Sequence, residues 1–304
     1  MKTVRLIVLN YNRRDLLERF MPSVAQAAKH SRYPCSVTLL DNASTDDSVA
    51  FVQKNFLDVA IFRAPENLVL CSYNACVKEL SEDIVVLLNN DMELEPGFVD
   101  PLMRYFEEDP DTFFVATHGD KALADWRWGV LSARIDYPGF QGAIETPGLS
   151  LSAGVAAFDR RKYLLLGGYD ALYLPGRYED VDLCYRGWKR GWKGYYAPLS
   201  RKQHVGGASF EKTFDAVTTQ SMVCRNGILF MMKNITDPLI KARFAFGLAS
   251  RLAWALLSLQ FYVWRGFFGA LSRYGQARRS ATAARKDFRL SDREVIRRIG
   301  AGIP

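Results

Sequence analysis

The chain has 304 residues, 49% hydrophobic and 24% charged, an ordinary composition for a globular protein that buries a real core. Its five cysteines (Cys35, Cys71, Cys76, Cys184 and Cys224) are odd in number and form no CxxC pair, which argues against a disulfide framework or a thiolate zinc site and for a reducing compartment. The net charge of +7 is unevenly placed: residues 238–304 hold 13 Lys and Arg against Asp287, Asp292 and Glu294, a balance of +10 that leaves residues 1–237 at −3, so nucleic acid is a poor partner for the folded part.

MKTVRLIVLN runs straight into an apolar β-rich stretch with no small-residue cleavage site, so no secretory signal is read there and a cytoplasmic location is expected. VRLIVLNYN (4–12) predicts a strand, and RDLLERFMPSVAQAAKH a helix with Leu16, Leu17, Phe20, Met21 and Val24 at helical spacing. SVTLLDNASTDDSVAFVQKNF repeats that order, DNASTDD offering N-cap residues. VAIFRAPEN is a third short strand, YNACVKEL a helix, and DIVVLLNNDMEL (83–94) a fourth strand ending in Asn-Asn-Asp. Strands alternating with helices predict a mainly parallel sheet covered on both faces.

In such sheets ligands bind beyond the carboxyl ends of the strands. The polar clusters Asn10–Asn12, Asp41–Ser44 and Asn89–Asp91 all fall there. DNAST alone would also serve as an Asx turn capping a helix, but three such clusters on one rim are harder to explain by capping.

Between residues 117 and 150 the sequence becomes rich in Gly and Trp and loses periodicity, which predicts a long irregular loop. Asp125, Trp126, Arg127 and Trp128 in it are candidate ligand-binding residues, with plain packing of the tryptophans the competing reading. The stretch RYEDVDLCYRGWKRGWKGYY (177–196) predicts a helix from Glu179. Val181, Cys184, Tyr185 and Trp188 form its apolar stripe, and Asp182 and Arg186 pair at i, i+4. Glu179 and Asp180 are left at the helix start, off the stripe, where the helix N-terminus lowers a carboxyl pKa and crowded acids raise it.

The C-terminal part begins near Asp237-Pro238. FAFGLASRLAWALLSLQFYVW (244–264) is long enough to span a bilayer, but Arg251 inside it costs about 2.5 to 3.5 kcal/mol on insertion. Arg243, Arg251, Arg265 and Arg273 among Phe, Trp and Tyr fit helices lying in the interface of an anionic membrane, the alternative being a helical appendage or dimer surface. SDREVIRRI reads as a short helix capped by Ser291 with Glu294.

LIVLNYN, LLDNASTDDS, APENLVLCSYNACV, VVLLNNDMELEPGFV, GGYDALYLPGRYEDVDLCYRGWKRGWKGYYAP and HVGGAS occur in the order and spacing of family-2 glycosyltransferases. Over roughly residues 3–232 the chain resembles that family, and most of all its rhamnosyltransferase-like branch, which builds bacterial cell-surface polysaccharides. The resemblance implies a GT-A fold for residues 1–237, a Rossmann-like nucleotide-binding, mixed and mainly parallel α/β sheet, with residues 238–304 as a basic helical extension. It implies a dTDP- or UDP-linked sugar donor, inverting transfer, and a saccharide acceptor, lipid-linked, met by a cytoplasmic enzyme held peripherally on the inner face of the plasma membrane. A homo-oligomer stays open.

Residue by residue, Asp41 corresponds to the carboxylate that accepts N3–H of uracil or thymine, with Asn42 assisting and Leu9 and Asn10 lining the same slot. The DxD-type motif reads Asn89-Asn90-Asp91, so Asp91 becomes the ligand of Mg²⁺ or Mn²⁺, and His204 matches a metal-proximal histidine. Asp180, with Glu179 second, matches the acceptor-facing acids and takes the role of general base. In ENLVLCSYN, Val69, Cys71 and Ser72 stand where many relatives have glycine, which leaves Asn67 and Asn74 as donor contacts there. Arg201, Lys202 and Ser209 are either phosphate contacts or a solvated basic turn. His30 reads as a helix-end residue, and His118 has no assigned role. Two rivals are weighed: a GT-A-like nucleotidyltransferase, which needs a Gly-rich loop with a basic residue that LIVLNYNRRD lacks, and a non-catalytic membrane adaptor, which needs no acids at both Asp91 and Asp180.

Overall fold

The structure, a computed structural model, describes residues 1–135, 146–204 and 214–300. The first half alternates strands and helices: β1 (Val4–Asn10), α1 (Arg14–His30), β2 (Cys35–Asp41), α2 (Ser48–Asn55), β3 (Val59–Arg63), α3 (Tyr73–Glu79), β4 (Ile84–Asn89), β5 (Met92–Leu94), α4 (Asp100–Glu108) and β6 (Thr112–Ala116). There follow β7 (Ala122–Arg127), β8 (Val130–Ile135), β9 (Gly148–Leu149), β10 (Ala156–Asp159), α5 (Arg160–Leu165), α6 (Glu179–Lys189), β11 (Lys193–Tyr196) and β12 (Lys202–His204). The chain ends in helices α7 (Ala216–Asn234), α8 (Pro238–Leu257), α9 (Phe261–Ser272), α10 (Tyr274–Arg285) and α11 (Asp292–Arg298).

The central sheet has the order β3-β2-β1-β4-β10-β6-β11-β9. It is parallel from β3 to β4 and between β6 and β11, and antiparallel where β10 enters between β4 and β6 and where β9 closes the edge. Alternation along the strands sends Val4, Leu6 and Val8 of β1 and Ile84, Val86 and Leu88 of β4 into one core, and Ile7, Val85 and Leu87 into the other. Both faces are therefore buried, as a mainly parallel sheet requires. α1 covers the first core with Leu17, Met21, Val24 and Ala27; of the predicted stripe Leu17, Phe20, Met21 and Val24 are buried, while Leu16 is half-buried and Ala27 takes a fifth buried position.

Three expectations change. The fourth strand ends at Asn89 in the Asn-Asn-Asp as predicted, but the rest of 83–94 forms a separate strand, β5, that pairs with β12, because the turn redirects the chain off the main sheet. The irregular stretch predicted for 117–150 contains a two-stranded hairpin, β7–β8, in register Asp125↔Ser132 and Arg127↔Val130. Its two-residue turn is Trp128-Gly129, both at positive φ (52° and 73°), a geometry that Trp seldom adopts and that the sequence therefore hides. The apolar run 244–264 is not one helix: Ser258 to Gln260 separate α8 from α9, with Leu259 at φ 57° and Gln260 N–H donating back to Ala255 O at 2.8 Å. No helix among the described residues is long and apolar enough to cross a membrane.

The C-terminal helices are packed onto the sheet domain. Asp292, at the start of α11, is fully buried and takes Lys189 Nζ and Tyr185 OH, each at 2.8 Å, and the backbone N–H of Thr236 and Asp237 at 2.7 Å. Ser291 caps α11 through Glu294 N–H at 3.2 Å, as expected, while the Glu294 carboxylate pairs with Arg298.

Candidate active site

The parallel pairing of β1 with β2 puts Asn10 opposite Asp41, and its pairing with β4 puts Leu9 opposite Asn89. Three polar strand ends thus meet on one rim. Asn90 donates to Asn10 Oδ1 at 2.6 Å, and Asn42 N–H donates to Asn10 O at 2.8 Å. Asp41 is buried; its Oδ2 accepts Ser44 N–H at 3.3 Å and its Oδ1 has no hydrogen-bond partner. A buried carboxylate oxygen left in that state is costly, and a ligand N–H would satisfy it.

The loop that follows β3 is braced by side chains. Asn42 donates to Asn67 Oδ1 at 2.7 Å and accepts from Ser72 Oγ at 2.5 Å, and Asn67 Oδ1 also receives Val69 N–H at 2.9 Å. These bonds hold Val69 at φ 52°, a region that costs a β-branched residue about 1 to 3 kcal/mol and that glycine enters freely. Asn74 points away from this loop and joins two other segments. Its Oδ1 accepts Tyr163 OH and Tyr169 N–H at 2.7 and 2.9 Å, and its Nδ2 donates to Tyr169 O at 2.8 Å, which ties α3 to the GGYD segment.

At the end of β4, Asp91 is 8% exposed; its Oδ1 has no partner and its Oδ2 lies 3.1 Å from His204 Nε2. The register of β12 with β5 sets His204 opposite Met92, and so brings together two residues 113 positions apart. The hydrogen bond to Asp91 raises the His204 pKa. One free carboxylate oxygen beside an imidazole fits a divalent cation. No group of three or more His, Cys, Asp and Glu among the described residues does so, which leaves further coordination to ligand and water oxygens.

α6 starts with the acid pair. The chain enters it through Arg177 and Tyr178, both at φ 75°, and Asn226 on α7 fixes that entry by reaching the carbonyls of Tyr173, Gly176 and Arg177 at 2.9, 2.8 and 2.8 Å. Asp180 Oδ1 accepts Val181 N–H at 2.8 Å, and Glu179 Oε2 has no partner. Both are enclosed by protein on most sides. Burial pushes the Glu179 carboxyl up to about 8, with the Asp180 charge adding to it. Burial also pushes Asp180 up, to about 6, against the pull of the Val181 amide. Enclosure therefore outweighs the helix N-terminus. The third acid, Asp182, is structural: fully buried, it takes Arg186 at 2.7 Å and Lys233, Tyr173 and Asn234 at 2.8 Å.

Residues 6–164, just over half of the chain, match the family described as Glycosyl transferase family 2. The chain belongs to glycosyltransferase family 2. Among solved structures, this family-2 transferase is similar to GalNAc-T7 with UDP, GalNAc and Mn²⁺ (TM-score 0.61, 16% identity, 80% of this chain and 50% of that one). It is also similar to the mannosyltransferase PcManGT from Pyrobaculum calidifontis in complex with GDP-Man and Mn²⁺ (0.54, 17%, 88% and 86%) and to S. aureus TarS 1–349 (0.53, 14%, 91% and 81%). Identities this low carry the fold, which is GT-A with C-terminal helices, and the transferase spans only half the length of the first of these chains. No curated protein sequence matches it.

In the transferase, Asp180 lines a cleft of about 440 Å³. Asp125, Arg127 and Trp128 of the hairpin line it too, with Arg177, Tyr178 and Val181, and α7 and α8 close it with Val223, Cys224, Ile228, Leu248 and Arg251. Trp126 is half-buried and packs against the core. Lys202 pairs with Asp120 at 2.6 Å and donates to His118 O at 3.2 Å, while Ser209 lies outside the described residues. His30 Nδ1 lies 2.8 Å from Gln26 O at the end of α1. Sequence reading missed the roles of Asn226, Lys233 and Asp292, each of which acts across more than 40 residues of chain, so no local pattern marks them.

Proposed function

We propose that this transferase moves a sugar, with inversion, from a dTDP- or UDP-linked donor to a saccharide acceptor, in the manner of the rhamnosyltransferase-like branch. The observation that carries this reading is the arrangement of acids: Asp41 and Asp91 each keep a buried oxygen without a partner at the strand rim, while Glu179 and Asp180 stand at the start of α6 with Asp180 in the cleft. Asp41 Oδ1 suits a pyrimidine N3–H, beside the backbone of Leu9 and Asn10. Asn42 and Asn67 act by bracing the adjacent loop, and Asn89 and Asn90 shape the turn that presents Asp91.

Asp91 and His204 would hold Mg²⁺ or Mn²⁺, whose charge offsets the negative charge that grows on the leaving diphosphate. GalNAc-T7 and PcManGT are described with Mn²⁺ and with UDP or GDP-Man, which supports metal and nucleotide sugar together. Burial raises both carboxyls of the pair, Glu179 further than Asp180, so Asp180 is the one that ionises first and takes the acceptor hydroxyl's proton as that oxygen attacks.

The acceptor in this reading is lipid-linked, reached by a cytoplasmic enzyme resting on the inner face of the membrane. Along α8, Ala242, Ala245, Phe246, Ala249, Ala253, Leu256 and Leu257 form an exposed stripe at spacings of three and four, followed by exposed Leu259 and Phe261. Lys241, Arg243 and Arg265 flank it. An apolar stripe with basic flanks matches an anionic lipid surface. The test is titration calorimetry of UDP and dTDP with and without Mn²⁺ or Mg²⁺. Metal-dependent binding of one nucleotide is expected, and a folded sample that binds neither would overturn the donor assignment.

A further inference from the structure

A fourth polar group stands on the strand rim. β10 runs antiparallel between β4 and β6, so its amino end lies beside their carboxyl ends, and there the turn Thr117–Asp120 that leaves β6 meets the segment Ser150–Val155 that enters β10. Thr117 N–H donates to Val155 O at 3.2 Å, and Asp120 N–H closes the turn on Thr117 O at 3.0 Å. Asp120 is 7% exposed. Its Oδ2 is saturated, accepting Thr117 Oγ1 at 3.0 Å and pairing with Lys202 Nζ at 2.6 Å. Its Oδ1 has no donor among the described residues. A Cβ built on Gly154 would stand 3.2 Å from that oxygen. Gly154 is exposed between buried Ala153 and Val155, so Oδ1 faces an opening in an otherwise buried segment.

Two further contacts tie this turn to both halves of the site. Lys202 and His204 share one face of β12, two residues apart, and reach Asp120 and Asp91 respectively. Trp188 of α6 donates to Ser150 O at 3.2 Å, which packs the Gly154 segment against the helix that opens with Glu179 and Asp180. Asp180, raised chiefly by burial, also feels the Asp120 charge. A bare carboxylate on this rim would repel a donor diphosphate, and Lys202 offsets that charge while leaving Oδ1 free.

We infer that Asp120 Oδ1 accepts a hydrogen bond from a hydroxyl of the sugar being transferred, with Lys202 holding the carboxylate in place and Gly154 keeping the approach open. The inference rests on the transferase reading, because the anomeric carbon must lie between the diphosphate at Asp91 and His204 and the acceptor oxygen at Asp180. An enclosed carboxylate with one free oxygen binds a hydroxyl and rejects a sugar that cannot supply one there, since that oxygen would be desolvated and left unpaired. Asp120 then reads the sugar of the donor, and Asp41 reads its base.

The test compares bare nucleotides with sugar nucleotides on the full chain with Mn²⁺, by titration calorimetry: UDP and dTDP against UDP-glucose, UDP-galactose, UDP-N-acetylglucosamine, dTDP-glucose and dTDP-rhamnose. Asp120→Asn and Gly154→Ala should each weaken the tightest-bound sugar nucleotide by about tenfold or more and leave its bare nucleotide within about twofold. Gly154→Ala keeps the ion pair and sets a methyl against Oδ1, so it decides the matter even where Asp120→Asn, which strands Lys202, fails to fold. A pair that is merely structural would move sugar and bare nucleotides alike in the first variant and neither in the second. Equal losses for both ligands, sugar-nucleotide affinity unchanged in folded Gly154→Ala, or a native chain that binds a bare nucleotide but none of the sugar nucleotides overturns this inference and leaves the nucleotide site standing. A native chain that binds neither UDP nor dTDP overturns the donor assignment, and this inference with it.

Discussion

Asn226 of α7 donates to the carbonyl oxygen of Arg177 at 2.8 Å, two residues before the acid pair that opens α6. The same amide nitrogen reaches Tyr173 O and Gly176 O, so one fully buried side chain fixes a turn in which Arg177 and Tyr178 both hold positive φ. Backbone strain of that kind persists only where the surroundings over-determine it. Replacing Asn226 by Ala removes the donor shared by these carbonyls, of which Tyr173 O alone also accepts a backbone N–H among the described residues, that of Gly176. The loss costs about 1 to 3 kcal/mol and lets Glu179 and Asp180 drift. Turnover should fall by about 10²-fold with nucleotide affinity kept. Unchanged kcat in a variant with a lowered melting temperature would reduce the contact to a purely structural one.

Asp180 must be ionised to accept a proton, so the rate should rise as pH passes through about 6 and level off above it. Asp180→Asn should lose about 10² to 10⁴ in kcat, lose that acid limb, and keep nucleotide binding. A pH profile that keeps its inflection in the Asn variant would move the base elsewhere.

Nucleotide binding should lose its metal dependence in Asp91→Ala and weaken in His204→Ala, with EDTA reproducing the first effect on the native chain. Calorimetry with and without Mn²⁺ reads this directly. Equal metal enhancement in the Asp91 variant would count against that carboxylate as a ligand.

Lys189 and Asp292 are both buried, 2.8 Å apart across 103 residues of chain. Asp292→Ala strands the lysine and should cost about 3 to 5 kcal/mol, whereas Lys189→Met combined with Asp292→Leu should recover part of it. Urea melts of the two variants decide the matter: a double variant no more stable than Asp292→Ala would show that the pair is not the source of the loss.

Asp182 gives the stability a sign with pH. Burial acts to raise its carboxyl, yet Arg186 and Lys233 prevail and hold it well below the usual carboxylate range. Its folded pKa therefore lies below an unfolded value of about 3.9, and its contribution is complete above that pH and lost as pH falls toward the folded value. The stability difference between the native chain and Asp182→Asn should be smaller at pH 3 than at pH 7. A constant difference would contradict the linkage.

Much of this protein is written locally. Alternating strands and helices foretell the parallel half of the sheet, because period-2 and period-3.6 burial leave separate marks on VRLIVLN and RDLLERFMPSVAQAAKH. The three polar strand ends are legible for the same reason, since a parallel sheet aligns successive carboxyl ends on one rim. The start of α6 at Glu179 and the pairing of Asp182 with Arg186 also follow from spacing of three and four.

Other features depend on contacts between distant segments, and only the tertiary structure decides them. The insertion of β10 antiparallel between β4 and β6, the approach of His204 to Asp91, and the bracing of Arg177 by Asn226 join residues that share no local period. The Trp128-Gly129 turn is set by the α8 backbone that packs on it, and the break in the 244–264 run by the docking of α9 on α7. Whether Asp180 is a base depends on how deeply it is enclosed, since burial and the helix N-terminus pull its pKa in opposite directions. Enclosure is a property of the assembled fold, with contributions from α7 and α8, and a sequence stretch of four residues carries no measure of it.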